Sequence, residues 1–495
     1  MAARREARAP LLKCFDRIVV HDVRVGEMGF SATYTLEMEG VRKSYRLMHR
    51  YRESIKVKGL EEIARLTCIV PAVNYVLFTD EIRFEFPLHE MDLRFFHHVS
   101  DATARDIFVN RILARTGLVR EEFIPNPEDV TPDDAKPRAH VEAREEFEGT
   151  SIEHEGDPFS CIVMSSGGQD SLLTYGLLSE IGLTVYPFFL NEAGRHWLVA
   201  LNAYRWFERN VPLTKKVWSN IDRLFTFIER NMRILVPDFQ RRSREIYPIR
   251  LFWFEHYAFA SLPLAIKHRV GSICFGNEFD DFTGVQLEHK GIRHYCAAYD
   301  QSQEFEKFMT SWFAERGFQL KQWSPIRSIT KLVVTRVLSR RYPWLFKLAM
   351  SCHSPVYRGG RLAPCGRCFK CTGVTLFLLA AGVDPEVLGY DEWSPADLAR
   401  RIRERKYRIG ESELEHSAYL ANKIWGLNLP RATPHPWVEM MLFDELSSHP
   451  DAIPYCGVRE KVFDILEQYT TGYAWLKGGE WVKTSRKEVL NAGGC

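Results

Sequence analysis

A glycine-rich turn stands between an apolar run and a helical segment. The run at 160–164 (SCIVM) leads directly into 165–171 (SSGGQDS), and a helical pattern follows. Two adjacent glycines let backbone N–H groups approach an anion without a Cβ in the way. The start of a helix adds unpaired donors and the positive end of a dipole. This order of elements predicts a phosphate-binding loop.

The side chains of the turn favour the same interpretation. Ser166 and Ser171 supply two hydroxyl donors, and Asp170 fits either a capping role or a Mg²⁺ ligand. The simpler interpretation is a glycine turn with a serine or aspartate cap, which is common before helices. The sequence has no GxxxxGK[ST] segment, so the kinase-type phosphate loop is a poor comparison.

The segments after this loop alternate between apolar strands and helices. Further apolar runs occur at 183–190 (LTVYPFFL) and 272–278 (SICFGNE), with helix-sized segments between them. That rhythm is typical of a parallel sheet covered on both faces. We therefore predict an α/β domain with a doubly wound parallel sheet over 158–385.

The regions on either side of this domain differ from it in composition and in sequence pattern. Residues 1–124 predict an α+β domain, because runs rich in β-branched and aromatic residues precede the helical segment 102–117. Residues 125–157 are acidic and rich in proline, which predicts a linker. Residues 386–495 predict a helical region, on the patterns at 396–409, 413–427 and 458–469.

Charge and hydrophobicity exclude several classes of protein. The 66 basic and 64 acidic residues give a net charge of +2, so we expect no direct nucleic-acid partner. No apolar stretch reaches the roughly 18–20 residues of a membrane span. The first residues also lack the apolar segment of a secretory signal. Of the 11 cysteines, those outside 352–371 are scattered. We therefore expect reduced thiols and a cytoplasmic protein.

Four cysteines lie close together in the sequence. Cys352 precedes the regularly spaced Cys365, Cys368 and Cys371. Four thiolates at such spacing predict a closed, structural zinc site. An iron–sulfur cluster, a site in which His353 replaces Cys352, and four unliganded thiols are the alternatives.

The motifs together resemble a known family. The SSGGQDS segment looks like the PP-loop of N-type ATP pyrophosphatases, which release AMP and pyrophosphate. Across about 159–385 the order of motifs is similar to that of 7-cyano-7-deazaguanine synthase, QueC. The matching segments are Ser165–Ser171, Gly194-Arg195-His196, Pro248-Ile249-Arg250, Gly276-Asn277 with Asp281-Phe282-Thr283-Gly284, Gln303-Glu304-Phe305, Ser324-Pro325-Ile326 with Thr330-Lys331, and Ser351-Cys352 with the cysteine cluster. The chain departs from the family by lacking a glutamine after Gly194 and by having Leu251 in place of an asparagine.

The resemblance implies roles for these residues. It places the catalytic groups at Ser166, Asp170, Ser171 and Lys331. It places ATP and Mg²⁺ against Ser165, Ser166, Gly167, Gly168, Gln169, Asp170, Ser171, Arg195, His196 and Arg250. The substrate, 7-carboxy-7-deazaguanine, would contact Asn277, Asp281 and Glu304, and Zn²⁺ would bind Cys352, Cys365, Cys368 and Cys371.

In length, the chain resembles the enlarged QueC-like proteins of bacterial anti-phage defence operons, of the type IV CBASS or Qat type. For those proteins the resemblance implies ATP-dependent C–N ligation of the deazaguanine to an amine of a partner protein. The alternatives are synthesis of the nitrile from ammonia, a nucleotide-sensing module, and tRNA thiolation. A homodimer is also compatible with the sequence.

Overall fold

The computed structural model describes residues 11–242, 249–280 and 286–494. The strands are β1 (Phe15–Gly26), β2 (Gly29–Met38), β3 (Val41–Tyr51), β4 (Thr79–His89), β5 (His140–Phe147), β6 (Asp157–Met164), β7 (Thr184–Asn191), β8 (Lys215–Ser219), β9 (Val270–Cys274), β10 (Leu287–His289), β11 (Ile292–His294), β12 (Lys321–Trp323), β13 (Val356–Arg358), β14 (Arg361–Ala363), β15 (Met441–Phe443), β16 (Tyr473–Lys477) and β17 (Glu480–Thr484).

The helices are α1 (Leu60–Ile69), α2 (Glu90–Ile107), α3 (Gln169–Glu180), α4 (Arg195–Asn210), α5 (Ile221–Arg230), α6 (Phe239–Arg242), α7 (Phe254–Lys267), α8 (Gln303–Glu315), α9 (Lys331–Arg341), α10 (Pro343–Phe346), α11 (Phe369–Ala380), α12 (Pro395–Arg403), α13 (Glu411–Trp425), α14 (Cys456–Leu466) and α15 (Arg486–Ala492). A π-helical turn at Phe108–Leu113 continues α2. Short 3-10 turns lie at Val70–Tyr75, Glu121–Phe123, Pro127–Asp129, Pro132–Ala135, Tyr299–Gln301, Pro385–Leu388, Pro436–Glu439, Pro450–Ala452 and Glu467–Tyr469.

The centre of the molecule is a parallel set of strands in the order β12, β9, β6, β7, β8. The chain enters this set in the middle, at β6. It adds β7 and β8 on one side and then β9 and β12 on the other. This reversal is typical of doubly wound sheets, and it places the topological switch point between β6 and β9. The predicted doubly wound α/β architecture is confirmed at this level.

Alternating side chains of β6 show that both faces of the sheet are covered. Ile162 and Met164 join a core that contains residues of α5, α7 and α8. Cys161 and Val163 join a second core with residues of α3, α4 and α9. Successive strand residues point to opposite faces, so β6 is buried between two helical layers.

The N-terminal strands extend the same sheet. β8 pairs antiparallel with β3, and β2, β1, β4 and β5 follow outward to give ten strands in all. The sequence suggested a separate N-terminal unit, because the pairing of β3 with β8 leaves no local signal. The edge strand β5 lies inside the segment predicted as a linker, and its many exposed charged residues explain why it looked like one.

The C-terminal region, predicted as helical, contains strands as well as helices. β15, β16 and β17 form a three-stranded sheet between the helices. Each of these strands has only three to five residues, too few for a strong alternating pattern. The region packs against α9: Glu413 Oε1 accepts from the Leu332 N–H at 2.9 Å, and the Leu442 N–H donates to Ser328 O at 2.7 Å.

Across the described residues, no helix combines the length and apolar character required to cross a membrane.

Candidate functional site

The glycine-rich loop lies at the carboxyl end of β6, beside the switch point. Gly167 adopts a left-handed backbone with φ 75°, and Gly168 is the N-cap of α3. The Ser165 N–H donates to Phe188 O of β7 at 2.9 Å, and the Met350 N–H donates to Gly167 O at 3.0 Å. Neighbouring elements therefore hold the loop on two sides. Ligands of doubly wound sheets bind in this crevice.

The loop's hydroxyls converge on one another. Ser166 Oγ lies 3.4 Å from Ser171 Oγ and accepts from the Gly168 N–H at 3.3 Å. Ser171 Oγ accepts from the Ser166 N–H at 3.3 Å and donates to Gly168 O at 3.2 Å. Two hydroxyls and two glycines thus form a compact, prearranged turn at the helix start. The Gln169 side chain points away from it, since its Oε1 accepts from Thr335 at 2.8 Å.

The segment after β9 approaches the loop closely. A Cβ on Gly276 would lie 2.8 Å from the carbonyl carbon of Asp170 and 2.9 Å from its oxygen. Only glycine fits at this distance, because real Cβ contacts do not fall below about 3.0 Å. The close approach brings Glu278, two residues later, to the same crevice.

Three charged side chains meet there. The Lys331 Nζ, at the first residue of α9, donates to Asp170 Oδ1 and lies 3.6 Å from Glu278 Oε1. Burial raises the pKa of Glu278 to about 7, and the negative charge of Asp170 adds to this effect. Burial also disfavours the Lys331 ammonium, but Asp170 and Glu278 outweigh it and raise the pKa of Lys331. Sequence reasoning missed Glu278, although it directly follows the predicted Asn277.

The start of α4 forms another wall of the crevice. Its N-terminus is occupied by Arg195 and His196, and His196 Nδ1 lies 3.4 Å from Glu192 Oε1. The imidazole ring packs edge-on against Trp253, with centroids 5.8 Å apart. Surrounding protein lowers the pKa of His196 to about 3, and the positive charges of Lys370 and Arg250 contribute.

Arg250 lies behind this wall rather than on its surface. It is 6% exposed, its Nη2 donates to Asp222 Oδ1 at 2.9 Å, and its Nε lies 3.9 Å from Glu229 Oε1. Burial acts to lower the pKa of Arg250, but Glu229 and Asp222 raise it overall. Burial raises the pKa of Glu229 to about 7 despite the nearby guanidinium. Arg250 therefore contributes a fixed positive charge to the cleft wall.

The residues expected to contact the substrate differ in their exposure and in their partners. Asn277 is buried, and its Nδ2 donates to Glu306 Oε1 at 2.9 Å, where Arg327 also pairs with Glu306. Glu304 is exposed and accepts from the Tyr295 hydroxyl at 2.8 Å. Asp281 lies outside the described residues, as do 282–284 and Pro248 of the matched segments.

The predicted cysteine cluster assembles in space. Cys352, Cys365, Cys368 and Cys371 are all buried, and their sulfur atoms lie within 4.8 Å of one another. The Sγ atoms of Cys368 and Cys371 are 3.4 Å apart, and those of Cys365 and Cys371 are 3.8 Å apart. A tetrahedral ion with Zn–S bonds of about 2.3 Å separates its sulfurs by about 3.8 Å. The four residues therefore fit a metal such as zinc.

Backbone donors complete this cluster. The N–H groups of Cys365 and Ser354 donate to Cys352 Sγ at 3.2 and 3.3 Å, and the His353 N–H donates to Cys368 Sγ at 3.4 Å. Such bonds favour thiolates. His353 thus supports the cluster through its backbone, and Cys352 is not displaced from it.

Two further positively charged side chains lie near the crevice. Lys370, in the cysteine cluster, is solvent-exposed yet close enough to Lys331 and Asp170 for their charges to act on it. Arg408 of the C-terminal region acts on both Lys370 and His353. Sequence reasoning did not connect Lys370 or Arg408 with the loop, because no local motif links them to it. With Lys331 and Arg250, these groups make the crevice suited to phosphates.

No protein-family model matches the chain, and a search of curated proteins finds no match either.

Proposed function

We propose that the protein is an ATP-dependent enzyme that adenylates a carboxylate and then forms an amide. One observation carries the proposal: the SSGGQDS loop stands at the switch point of a doubly wound sheet, facing Lys331 and further cations. A triphosphate needs donors and positive charge at one place, and this crevice combines a helix N-terminus, two hydroxyls and an ammonium. The combination supports ATP as the nucleotide.

The substrate is proposed from the order of motifs. Seven segments resemble those of the QueC family and occur in the same order, which supports 7-carboxy-7-deazaguanine as the carboxylate. Glu304 would accept from a ring N–H or exocyclic amine of this substrate, since carboxylate oxygens are acceptors only.

The first step joins the carboxylate to AMP. A carboxylate oxygen attacks the α-phosphorus, the bond from that phosphorus to the bridging oxygen breaks, and pyrophosphate leaves with the electron pair. Ser166, Ser171 and the glycine N–H groups would hold the leaving pyrophosphate, and Lys331 would balance charge at the phosphates. Asp170 and Glu278, the two carboxyl groups beside Lys331, would hold Mg²⁺, which would shield the phosphate charges.

The second step transfers the acyl group to nitrogen. An amine attacks the acyl carbon, the bond to the AMP oxygen breaks, the nitrogen loses a proton, and an amide remains. We propose a protein amine, such as an exposed N-terminus, as the acceptor. The support is the extent of the flanking regions: β1–β5 widen the sheet, and the C-terminal region caps the start of α9. Both fit a surface for a macromolecular partner.

The cysteine cluster is proposed to hold one structural zinc ion. Four thiolates leave no open coordination position, so the ion would fix the segment that touches the loop rather than take part in the reaction. The contact of Met350 with Gly167, two residues before Cys352, provides that link.

Incubation of the purified chain with ATP and 7-carboxy-7-deazaguanine tests the proposal. We expect labelled pyrophosphate to be incorporated into ATP. We expect the S166A variant to lose this exchange while keeping its fold. S179A is the matched control, because Ser179 is an exposed serine near the far end of α3, away from the loop. Formation of ADP and phosphate would contradict the proposal. Addition of ammonium identifies the acceptor: efficient release of the free nitrile would favour ammonia over a protein amine.

A further inference from the structure

A small space in front of Gly168 is bordered by polar atoms from separate segments of the chain. A Cβ on Gly168 would lie 3.3 Å from Ser166 Oγ, 3.7 Å from Ser351 Oγ and 4.0 Å from Asp170 Oδ2. Gly168 has φ −81° and ψ 167°, an extended conformation that any residue adopts. Its own backbone therefore does not require glycine, and the missing side chain leaves the space open to a ligand.

Ser351 reaches this space from the segment that leads into the cysteine cluster. Its N–H donates to the Tyr390 hydroxyl at 3.2 Å, and the same hydroxyl donates to Ser351 O at 2.9 Å. Tyr390 is buried. On one side of Ser351 the Met350 N–H donates to Gly167 O at 3.0 Å, and on the other side Cys352 joins the cluster. The backbone of Ser351 is therefore fixed on both sides.

The Ser351 hydroxyl is available to a ligand. Among the described residues its Oγ makes no hydrogen bond, and its side chain is partly exposed. The hydroxyl of Ser165, by contrast, donates to Val163 O at 3.0 Å. A serine hydroxyl supplies one donor. That of Ser351 lies beside the loop and has no acceptor within the described part of the protein.

The groups around the space suit a phosphate group with bound Mg²⁺. Asp170 borders the space with Oδ2 and accepts from the Lys331 ammonium through Oδ1. The Gly168 N–H donates to Ser166 Oγ at 3.3 Å, which keeps the proton of that hydroxyl available. Hydroxyls donate to phosphate oxygens, and a carboxylate is an ordinary Mg²⁺ ligand. Ser166, across the space from Ser351, is also the residue proposed above to hold the leaving pyrophosphate.

We propose that Ser351 is a further pyrophosphate-binding residue, whose hydroxyl donates to an oxygen of the phosphates held at the loop. Tyr390 is the positioning residue, because it fixes the backbone from which this hydroxyl extends. The inference rests on the proposed function and extends its pyrophosphate site to a segment far from the loop in sequence. It also connects the cysteine cluster with ligand binding, since the cluster and Tyr390 together hold Ser351 in place.

Direct binding tests the inference without turnover. The full chain is titrated calorimetrically with magnesium pyrophosphate and, separately, with AMP. S351A should bind pyrophosphate about 10–100-fold more weakly, the loss expected for one hydrogen bond to a charged group. Its affinity for AMP should be unchanged, because AMP lacks the phosphates that Ser351 contacts. Y390F should weaken pyrophosphate binding less than S351A does, again without an effect on AMP.

S354A is the matched control, because Ser354 lies on the other side of Cys352 and contacts its Sγ through the backbone N–H. It should keep the parental affinity for pyrophosphate, and S351A should keep the parental zinc content in elemental analysis. Parental pyrophosphate affinity in S351A would overturn the inference. So would equal losses for pyrophosphate and AMP, or a loss of zinc, because these indicate a structural role.

The same titrations separate this inference from the proposed function. Failure of the parent to bind pyrophosphate would refute the phosphate site as a whole. A parent that binds pyrophosphate but does not exchange it into ATP would refute adenylation and leave the role of Ser351 standing.

Discussion

Gly276→Ala tests whether the segment after β9 sets the position of the phosphate-binding loop. The added Cβ would lie 2.8 Å from the Asp170 carbonyl carbon, whereas ordinary contact begins at 3.4 Å. The carbonyl carbon belongs to the backbone and not to a flexible side chain. The loop must therefore move by about 0.6 Å to restore ordinary contact. Overpacking of this kind costs about 1–3 kcal/mol.

The displacement should affect activity more than stability. A shift near 1 Å at reacting groups costs up to about 10²-fold in rate. We expect G276A to lose about 1–3 kcal/mol in the free energy of unfolding measured in urea. We also expect its ATP–pyrophosphate exchange to fall by one to two orders of magnitude.

Gly457→Ala provides the control. No atom lies within 4 Å of a Cβ at Gly457, which is the second residue of α14. Alanine is favoured over glycine in helices by at most about 1 kcal/mol, so G457A should unfold at the same or slightly higher urea concentration with unchanged exchange. Parental stability and exchange in G276A would refute the close approach of the segment after β9 to the loop.

Three further predictions concern individual charges and the metal site. Lys331→Met leaves Asp170 and Glu278 without their ammonium, so exchange should be lost and the free energy of unfolding should fall by no more than about 3–5 kcal/mol; parental exchange would contradict this. Cys368→Ser should remove bound zinc in elemental analysis and lower the melting temperature, whereas C296S, which changes a thiol outside the cluster, should keep the metal; a zinc-free parent would contradict it. Burial raises the pKa of Glu255 from 4.5 to about 8, so the folded state holds a proton that the unfolded state has released. The free energy of unfolding should therefore fall as the pH rises from about 4.5 to 8, by up to a few kcal/mol. E255Q should show a smaller decline, because Glu229 and Glu278 also have raised pKa values, and parallel pH profiles for parent and variant would contradict the assignment.

Local patterns predicted the part of the fold that surrounds the loop. The apolar run at 160–164 and the helix from Gln169 are both present, because a strand buried on both faces and a helix each leave a clear local signature. The four-cysteine cluster was also predictable, since three of its members follow one another at fixed spacing. The antiparallel pairing of β3 with β8 was not predictable, because it joins residues far apart in sequence.

The candidate site, too, could be predicted from the sequence only in part. Asp170 and Lys331 were singled out, but their contact and the participation of Glu278 depend on how β9 and α9 converge. Ser351 had no role assigned to it from the sequence, and only the packing of its segment against the loop brings its hydroxyl there. Groups recruited from separate elements leave no spacing in the sequence, and such groups complete this site.

The most direct test of carboxylate adenylation follows an oxygen atom. The full chain is incubated with ATP and 7-carboxy-7-deazaguanine labelled with ¹⁸O in its carboxylate, with glycinamide as the amine, and AMP is analysed by mass spectrometry. Attack of the carboxylate on the α-phosphorus transfers one labelled oxygen to AMP when the amide forms. We predict AMP that carries one ¹⁸O atom. Unlabelled AMP, or ADP with phosphate, would contradict the account.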